Sequence, residues 1–371
     1  MKVGVITRHA VPNYGSLLQS YATEKVLEKM GYDAEIIDYI RYDERAEELS
    51  KSLVKGKKWD KNVLTRMIYN AIQMPNYSRM YKKFAFYRNG FLKMTDKEYG
   101  SIEELKKDVP QEDVYCSGSD QIWGRIGQSD YDEAYFLEFA KGKRCISYAS
   151  SFGKTELNEE LDKNLNSLLE KYSKILVREK SAKEILLKHN ITNVEQVVDP
   201  TFLLSTDEWN ELTKKSKLHK KGKYILVYQL HENKQFDNYA KNFSKMKKMK
   251  LLRISPSLYH ITRSGKLIYL PNQYDFLWYF QNADYILTDS FHATVFSIIF
   301  NKKFIDVLPL NKTGTRIESV LELLGIENRI LQNYQDYDLI DNSIDYDLVN
   351  KNINKEREKS LELLKEAIMN N

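Results

Sequence analysis

The sequence predicts an α/β protein made of two doubly wound, parallel-sheet domains facing each other across a cleft. Three observations carry this. Short apolar runs alternate with helix-period segments along most of the chain. Several of those runs end in turns rich in Gly, Ser, Asn and Asp, the usual passage from a strand into a helix. The length, 371 residues, exceeds what one core ordinarily serves and suggests two domains. Strands that alternate with helices make parallel sheets covered on both faces.

In chain order, Val3 to Thr7 reads as a buried strand, followed by the turn Pro12-Asn13-Tyr14-Gly15-Ser16. Leu18, Ala22, Val26 and Met30 recur four apart on the next helix, and Gly31 provides its stop. Ala34 to Tyr39 is a second strand. Residues 43–108 read as a charged helical insertion. Val114 to Cys116 and Cys145 to Ala149 are strands running into small-residue turns. A helix at 157–171, strands at 175–177 and 194–197, and a helix from Glu179 complete the first half. Asp199-Pro200-Thr201 punctuates the chain, which sets the first domain at 1–204 and the second at 205–345. The second half repeats the alternation, with strands at 224–228, 250–254, 284–288 and 303–307. Helices are expected between them and at 315–324. A final helix, 350–371, carries Leu361, Leu364 and Ile368 on one stripe and is expected to pack back on the first domain.

Composition excludes several classes. No apolar run approaches the ~18 residues of a membrane-spanning helix. The N-terminus shows no secretory pattern, so a cytoplasmic location is expected. The net charge of +5 suits anionic small ligands or an anionic membrane surface, not a dedicated nucleic-acid binder. Two cysteines and six histidines without ligand spacing support neither a disulfide framework nor a zinc site, and no bound metal is expected. Gly153-Lys154-Thr155 resembles the end of a phosphate loop, but the earlier glycine position is Tyr148. Dinucleotide, serine-hydrolase and zinc-protease signatures are absent too.

The candidate site residues lie at strand ends. In the run from Asp284 to Thr294 a strand gives way to a helix, Asp289 or Ser290 can cap it, and His292 falls in its first turn. Such a helix start attracts phosphate or carboxylate. Ser290 and Thr294 offer hydroxyls there, and His292 can shuttle a proton. Arg178 sits at another strand-to-helix junction and can grip an oxyanion with two N–H groups, as can Arg316 at the start of a later helix. Asn13, Tyr14, Gly15 and Ser16 form one strand-end loop, and Ser119, Asp120 and Gln121 another; their side chains suit sugar hydroxyls, and Asp120 can act as acid or base. Basic residues Lys51, Lys55, Lys57, Lys58, Lys61, Arg66, Arg79, Lys82, Lys83 and Arg88 punctuate the insertion, interleaved with tyrosines. They read first as a solvated helical face, and second as a docking face for anionic lipid headgroups.

Together these junctions resemble the polysaccharide pyruvyl transferase family. The matching pieces are NYGSLLQ at 13–19, GSDQIW at 118–123, SYASSFG at 147–153, VREK at 177–180, DPT at 199–201 and TDSFHATVF at 288–296. They run in family order over roughly residues 1–325, while 43–108 and the tail carry no family motif. The resemblance implies Rossmann-like halves in a GT-B arrangement. It implies transfer of pyruvate from phosphoenolpyruvate, as a ketal, to a lipid- or nucleotide-linked sugar in surface-polysaccharide assembly. By position, Arg178 and His292 match the family's phosphoenolpyruvate residues, with Ala293 where the family often has glycine. On that reading His292, Arg178 and Asp120 are catalytic. Ser290, Thr294 and Arg316 join Arg178 and His292 around the donor, and Asp120 lies on the acceptor side. Asn13, Tyr14, Gly15, Ser16, Gln19, Ser119, Gln121, Ser151 and Phe152 face the acceptor. No cofactor beyond the donor substrate is implied. The alternatives are a GT-B glycosyltransferase using a nucleotide sugar and a non-catalytic glycan-binding protein.

Overall fold

Eleven strands appear among the residues described by the computed structural model, which are 1–46, 48, 62–126, 129–219, 222–309 and 314–369. The first six are β1 (Lys2–Ile6), β2 (Asp33–Ile36), β3 (Val114–Ser117), β4 (Arg144–Ser150), β5 (Tyr172–Val177) and β6 (Val194–Gln196). They form one sheet in the order β2-β1-β3-β4-β5-β6, with every pairing parallel. The remaining five are β7 (Tyr224–Tyr228), β8 (Lys250–Ser255), β9 (Lys266–Tyr269), β10 (Tyr285–Thr288) and β11 (Lys303–Asp306). Their order is β11-β10-β7-β8-β9, again all parallel. Helices cover both faces, which is why consecutive residues are wholly buried, Val5 with Ile6 on β1 and Ile225 to Val227 on β7.

Strand order reverses direction once in each sheet, between β1 and β3 and between β7 and β10. Loops leaving adjacent strands diverge at such a point and open a crevice at the strand C-termini. Two of the loops there lead into the helices that matter most, Tyr14–Lys29 and Phe291–Ile299. The first is capped by Asn13, whose side chain accepts from the Gly15 amide.

One hydrophobic cluster runs through both halves, from Val3, Tyr14 and Phe84 to Phe276, Phe296 and Ile368. Tyr14 joins them directly: its ring stacks on Phe276 at 4.3 Å and its hydroxyl donates to the Pro271 carbonyl at 2.5 Å. Beside it the Tyr87 hydroxyl donates to the Leu270 carbonyl at 2.8 Å. The C-terminal helix Tyr346–Met369 returns to the first sheet. Its Ser360 hydroxyl accepts from the Val198 amide at 3.1 Å, and Arg357 donates to the Phe202 carbonyl at 2.6 Å.

Two expectations need correction. β9 was not expected, because Lys266 to Tyr269 is short, lies at a sheet edge and follows Gly265 at φ +101°. The insertion is only partly helical. Helix Val63–Arg88 and helix Ile102–Lys107 are joined by chain that hydrogen-bonds beyond the edge of β2, Lys93 O accepting from Ile36 N and Tyr99 O from Ile40 N, both at 2.8 Å. An exposed sheet edge is thereby covered. Lys51, Lys55, Lys57, Lys58 and Lys61 lie outside the described residues.

At the opposite edge of the strands, Glu112 is buried against Gly4, 3.3 Å from Lys2 Nζ. Burial and the neighbouring Glu35 push its carboxyl up to about 7, against the pull of Lys2. A raised carboxyl pKa stabilises the fold below the unfolded value of 4.5, and that stability is lost as pH rises through about 7. Glu112→Gln is therefore expected to raise stability by roughly 2–3 kcal/mol at pH 8 and to change little near pH 4. Denaturant titrations at both pH values check this.

Candidate functional site

The two crevices face each other, and a cavity of about 270 Å³ lies between them. The loop after β1 contributes Arg8 and Asn13, and the loop after β3 contributes Asp120 and Gln121. From the second sheet, the loop after β7 brings Leu230 and His231, and the β10 loop brings Ser290, Phe291 and His292. Arg316 enters from the helix Thr315–Leu324.

Behind His292 lies a buried charge cluster. Asp199 Oδ2 accepts from Arg178 Nη1 at 2.9 Å and from the Ser119 hydroxyl at 3.1 Å, and lies 3.7 Å from His292 Nε2. Its other oxygen accepts from the Thr201 amide and hydroxyl, capping the turn that begins at Pro200. Burial alone would raise the Asp199 carboxyl, but His292, Arg178 and the Thr201 hydroxyl hold it far below the usual range. Arg178 also lies 4.5 Å over the Phe291 ring, and its Nε is 3.6 Å from Glu179 Oε2. Arg178 Nε and Nη2 and His292 Nε2 are buried without a hydrogen-bond partner.

Asp120 occupies the facing wall at φ +81°, a conformation that favours glycine and costs a carboxylate-bearing residue about 1 kcal/mol or more. Two contacts fix it there: Oδ2 accepts from the Ser16 hydroxyl at 2.5 Å, and Oδ1 from the Gln121 amide at 2.8 Å. Burial pushes its carboxyl up, yet Arg178, His292, Ser16 and Arg8 bring it down to about 2, so it is ionised at neutral pH. Arg316 makes no ion pair among the described residues. Its partner is the side-chain oxygen of Gln121, which accepts from Nε at 3.2 Å and Nη2 at 2.9 Å. Burial and Arg178 lower its guanidinium to about 10, which still leaves it charged near neutral pH.

The helix Phe291–Ile299 starts at the cavity with no side-chain cap, since Ser290 makes none. Its first-turn amides and roughly half a positive charge lie at the cavity that Arg316 and His292 also line. Asp289 does not cap it either. Its two oxygens accept from the Leu230 amide at 2.7 Å and the His231 amide at 2.9 Å, tying the β7 loop to the β10 loop. Gly15 explains how His292 fits: a Cβ at Gly15 would lie 2.1 Å from His292 Nδ1.

The sequence-derived residues thus divide. Asn13, Ser16, Asp120, Gln121, Ser290, His292 and Arg316 line one cavity, with Arg178 and Gly15 packed behind His292. The others do not line it, and their expected direct contacts are corrected. Thr294 is fully buried and donates to Asp306 at 2.6 Å. Tyr14 is committed to Pro271, and the Ser119 hydroxyl to Asp199. Gln19 donates to Thr7 and to the Ser16 carbonyl within the helix packing. Ser151 donates to Glu179 at 2.6 Å, and Phe152 packs against Trp123. Arg8 was missed, although its position two residues beyond β1 was the available signal. His231 and Glu179 were missed as well. Among the described residues, no three His, Cys, Asp or Glu side chains are grouped to hold a metal ion.

Residues 13–309 match the family described as polysaccharide pyruvyl transferase. No curated protein sequence matches. Solved structures match along the whole chain. A UDP-N-acetylglucosamine 2-epimerase from Rickettsia bellii gives a TM-score of 0.55 at 13% identity, covering 99% of this chain and 97% of that one. The enzyme from Neisseria meningitidis, bound to UDP-GlcNAc, gives 0.53 at 13% identity over all of both chains. Arabidopsis thaliana UGT89C1 gives 0.51 at 10% identity over 99% of each. These likenesses show the fold, two parallel-sheet domains in the GT-B arrangement. They also correct the expected reaction. The structures sharing the architecture include repeated UDP-GlcNAc 2-epimerases, so ketal transfer from phosphoenolpyruvate, and the enzyme class built on it, give way to a coarser statement. That statement is membership of the matched family in the GT-B fold.

Proposed function

The chain belongs to the polysaccharide pyruvyl transferase family, and from that premise and its cleft we propose an enzyme that acts on a sugar carried by a nucleotide diphosphate. The observation that carries this reading is the uncapped start of helix Phe291–Ile299 beside Arg316, a cation with no acidic partner among the described residues, where both strand-order reversals meet. A diphosphate supplies the anionic oxygens that such donors lack. The UDP-GlcNAc bound by a structure of the same fold supports the nucleotide form.

In this arrangement the helix amides, Arg316 and Arg8 hold the diphosphate and offset its negative charge. The sugar points toward Asp120 and His292. Asp120 is ionised and fixed by Ser16, so it can accept from a sugar hydroxyl. His292, oriented with Nε2 toward Asp199, transfers the proton, a role typically worth ~10²–10⁴ in rate.

Calorimetric titration with UDP and a panel of UDP-sugars tests this. Arg316→Ala is expected to weaken binding at least about tenfold, the size of a charge-assisted contact. His292→Ala is expected to preserve binding and reduce turnover ~10²–10⁴-fold. Saturation by phosphoenolpyruvate with no binding of any nucleotide sugar would overturn the proposal.

A further inference from the structure

Helix Val63–Arg88 turns the wrong face to the outside. Its inner side buries Met80, Phe84 and Tyr87 against the shared core, with Phe84 4.9 Å from the ring of Tyr14. Its outer side carries Leu64, Met67, Ile68 and Ile72 over the first three turns, and Leu64, Met67 and Ile72 are 64–67% exposed. The same outward stripe continues through Pro75, Arg79, Lys82 and Phe86, which recur at three- and four-residue spacing. An ordinary surface helix places charge there and hides its apolar side chains.

A second segment extends the patch. Leu258, Tyr259 and Ile261 lie in the turn after β8, and Ile261 is 70% exposed. That turn is fastened to the helix, because Asn76 Oδ1 accepts from the Leu258 amide and from the Tyr269 hydroxyl, both at 3.2 Å. Between Pro75 and Phe86 runs an open groove of about 550 Å³, edged by Arg79, Lys82 and Lys83.

We propose that this face is the protein's peripheral docking surface for an anionic lipid bilayer. Charge decides the partner. Over its 26 residues the helix contains no Asp or Glu and exposes Arg79, Lys82 and Lys83, and residues 256–266 likewise contain no acid and expose Lys266. A second copy of this chain docking symmetrically would bring the same cations face to face. A bilayer with anionic headgroups meets both needs: apolar side chains enter the acyl boundary while lysines and arginines pair with phosphates. No described helix is long and apolar enough to cross a membrane, and the contact is peripheral.

Co-sedimentation of the full chain with vesicles tests this without any sugar substrate, so its outcome is separate from that of the enzymatic proposal. The chain is expected to pellet with phosphatidylcholine–phosphatidylglycerol vesicles at low salt, and weakly with phosphatidylcholine alone or at high salt. The pair Ile68→Asp and Ile72→Asp, and separately Lys82→Glu with Lys83→Glu, are each expected to reduce binding at least about tenfold. Neither pair touches the cavity, so thermal unfolding and nucleotide-sugar titration of both variants should match the parent. Failure of the parent to pellet, or equal binding by folded variants, would overturn the proposal. So would light scattering in which Ile68→Asp with Ile72→Asp splits a dimer while vesicle binding is unchanged.

Discussion

Asp199→Ala is expected to destabilise the protein by about 3–5 kcal/mol, the range for removing one partner of a buried ion pair. The loss comes from what remains: a buried Arg178 without its nearest acid, a Ser119 hydroxyl without its acceptor, and an uncapped turn at Pro200. The pH dependence has a definite sign. The folded carboxyl lies far below its unfolded value of 3.8, so its stabilisation is present above that value and is lost only as pH falls through the folded one. The deficit should therefore stay constant from pH 8 to about 4 and shrink in stronger acid. Removing both charges, Asp199→Ala with Arg178→Met, should recover part of the loss, because no uncompensated charge then stays buried. Denaturant titration of the single and double variants measures the coupling, and additive losses would show that Arg178 and Asp199 do not act as a pair.

Gly15→Ala is expected to reduce turnover by roughly 10²-fold or more, with about 1–3 kcal/mol of destabilisation. Space is the reason. The added methyl would stand 2.1 Å from Nδ1 and 2.4 Å from Cγ of His292, and the imidazole has the buried Phe291 beside it and Asp199 behind it. Either the ring leaves its place next to Asp199 or the two sheets part by the width of a methyl. Gly31→Ala is the control. That glycine sits at φ +88° with nothing within 4 Å of the added carbon, so the substitution strains the backbone yet leaves His292 untouched. A comparison of turnover and thermal midpoints for the two variants separates the effects, and equal turnover would remove Gly15 from the argument.

Sequence periodicity carried most of the fold because both sheets are parallel and wrapped. Each central strand is then a continuous apolar run, as in Ile225 to Val227, and each crossover helix has one apolar stripe. β9 broke this pattern as a short edge strand with only partly buried side chains. Helix Val63–Arg88 defeated it differently: apolar side chains on two faces erase the contrast on which periodicity depends. At the site, the rule that ligands meet strand C-termini was enough to select His292, Asp120 and Arg316. It could not rank residues within a loop. Tyr14 and Ser16 are two positions apart, yet one faces the core and the other the cavity, a distinction set by helix phase and by what the opposite domain presents. Glu179 and Asp289 show the same limit, since their partners come from loops distant in sequence.

The aromatic junction formed by Tyr14, Phe84 and Phe276 also bears on modularity. Enzymes assembled from two similar lobes invite exchange of one lobe for another to change the substrate. Here each lobe keeps one apolar cluster of its own, but a third, contiguous cluster spans both and the closing helix Tyr346–Met369 returns to the first. A chimera cut near residue 204 would set foreign surfaces against Tyr14 and Phe84 and leave large rings in water. Specificity in this scaffold is therefore most readily redrawn in the loops around the cavity, within an intact pair of lobes.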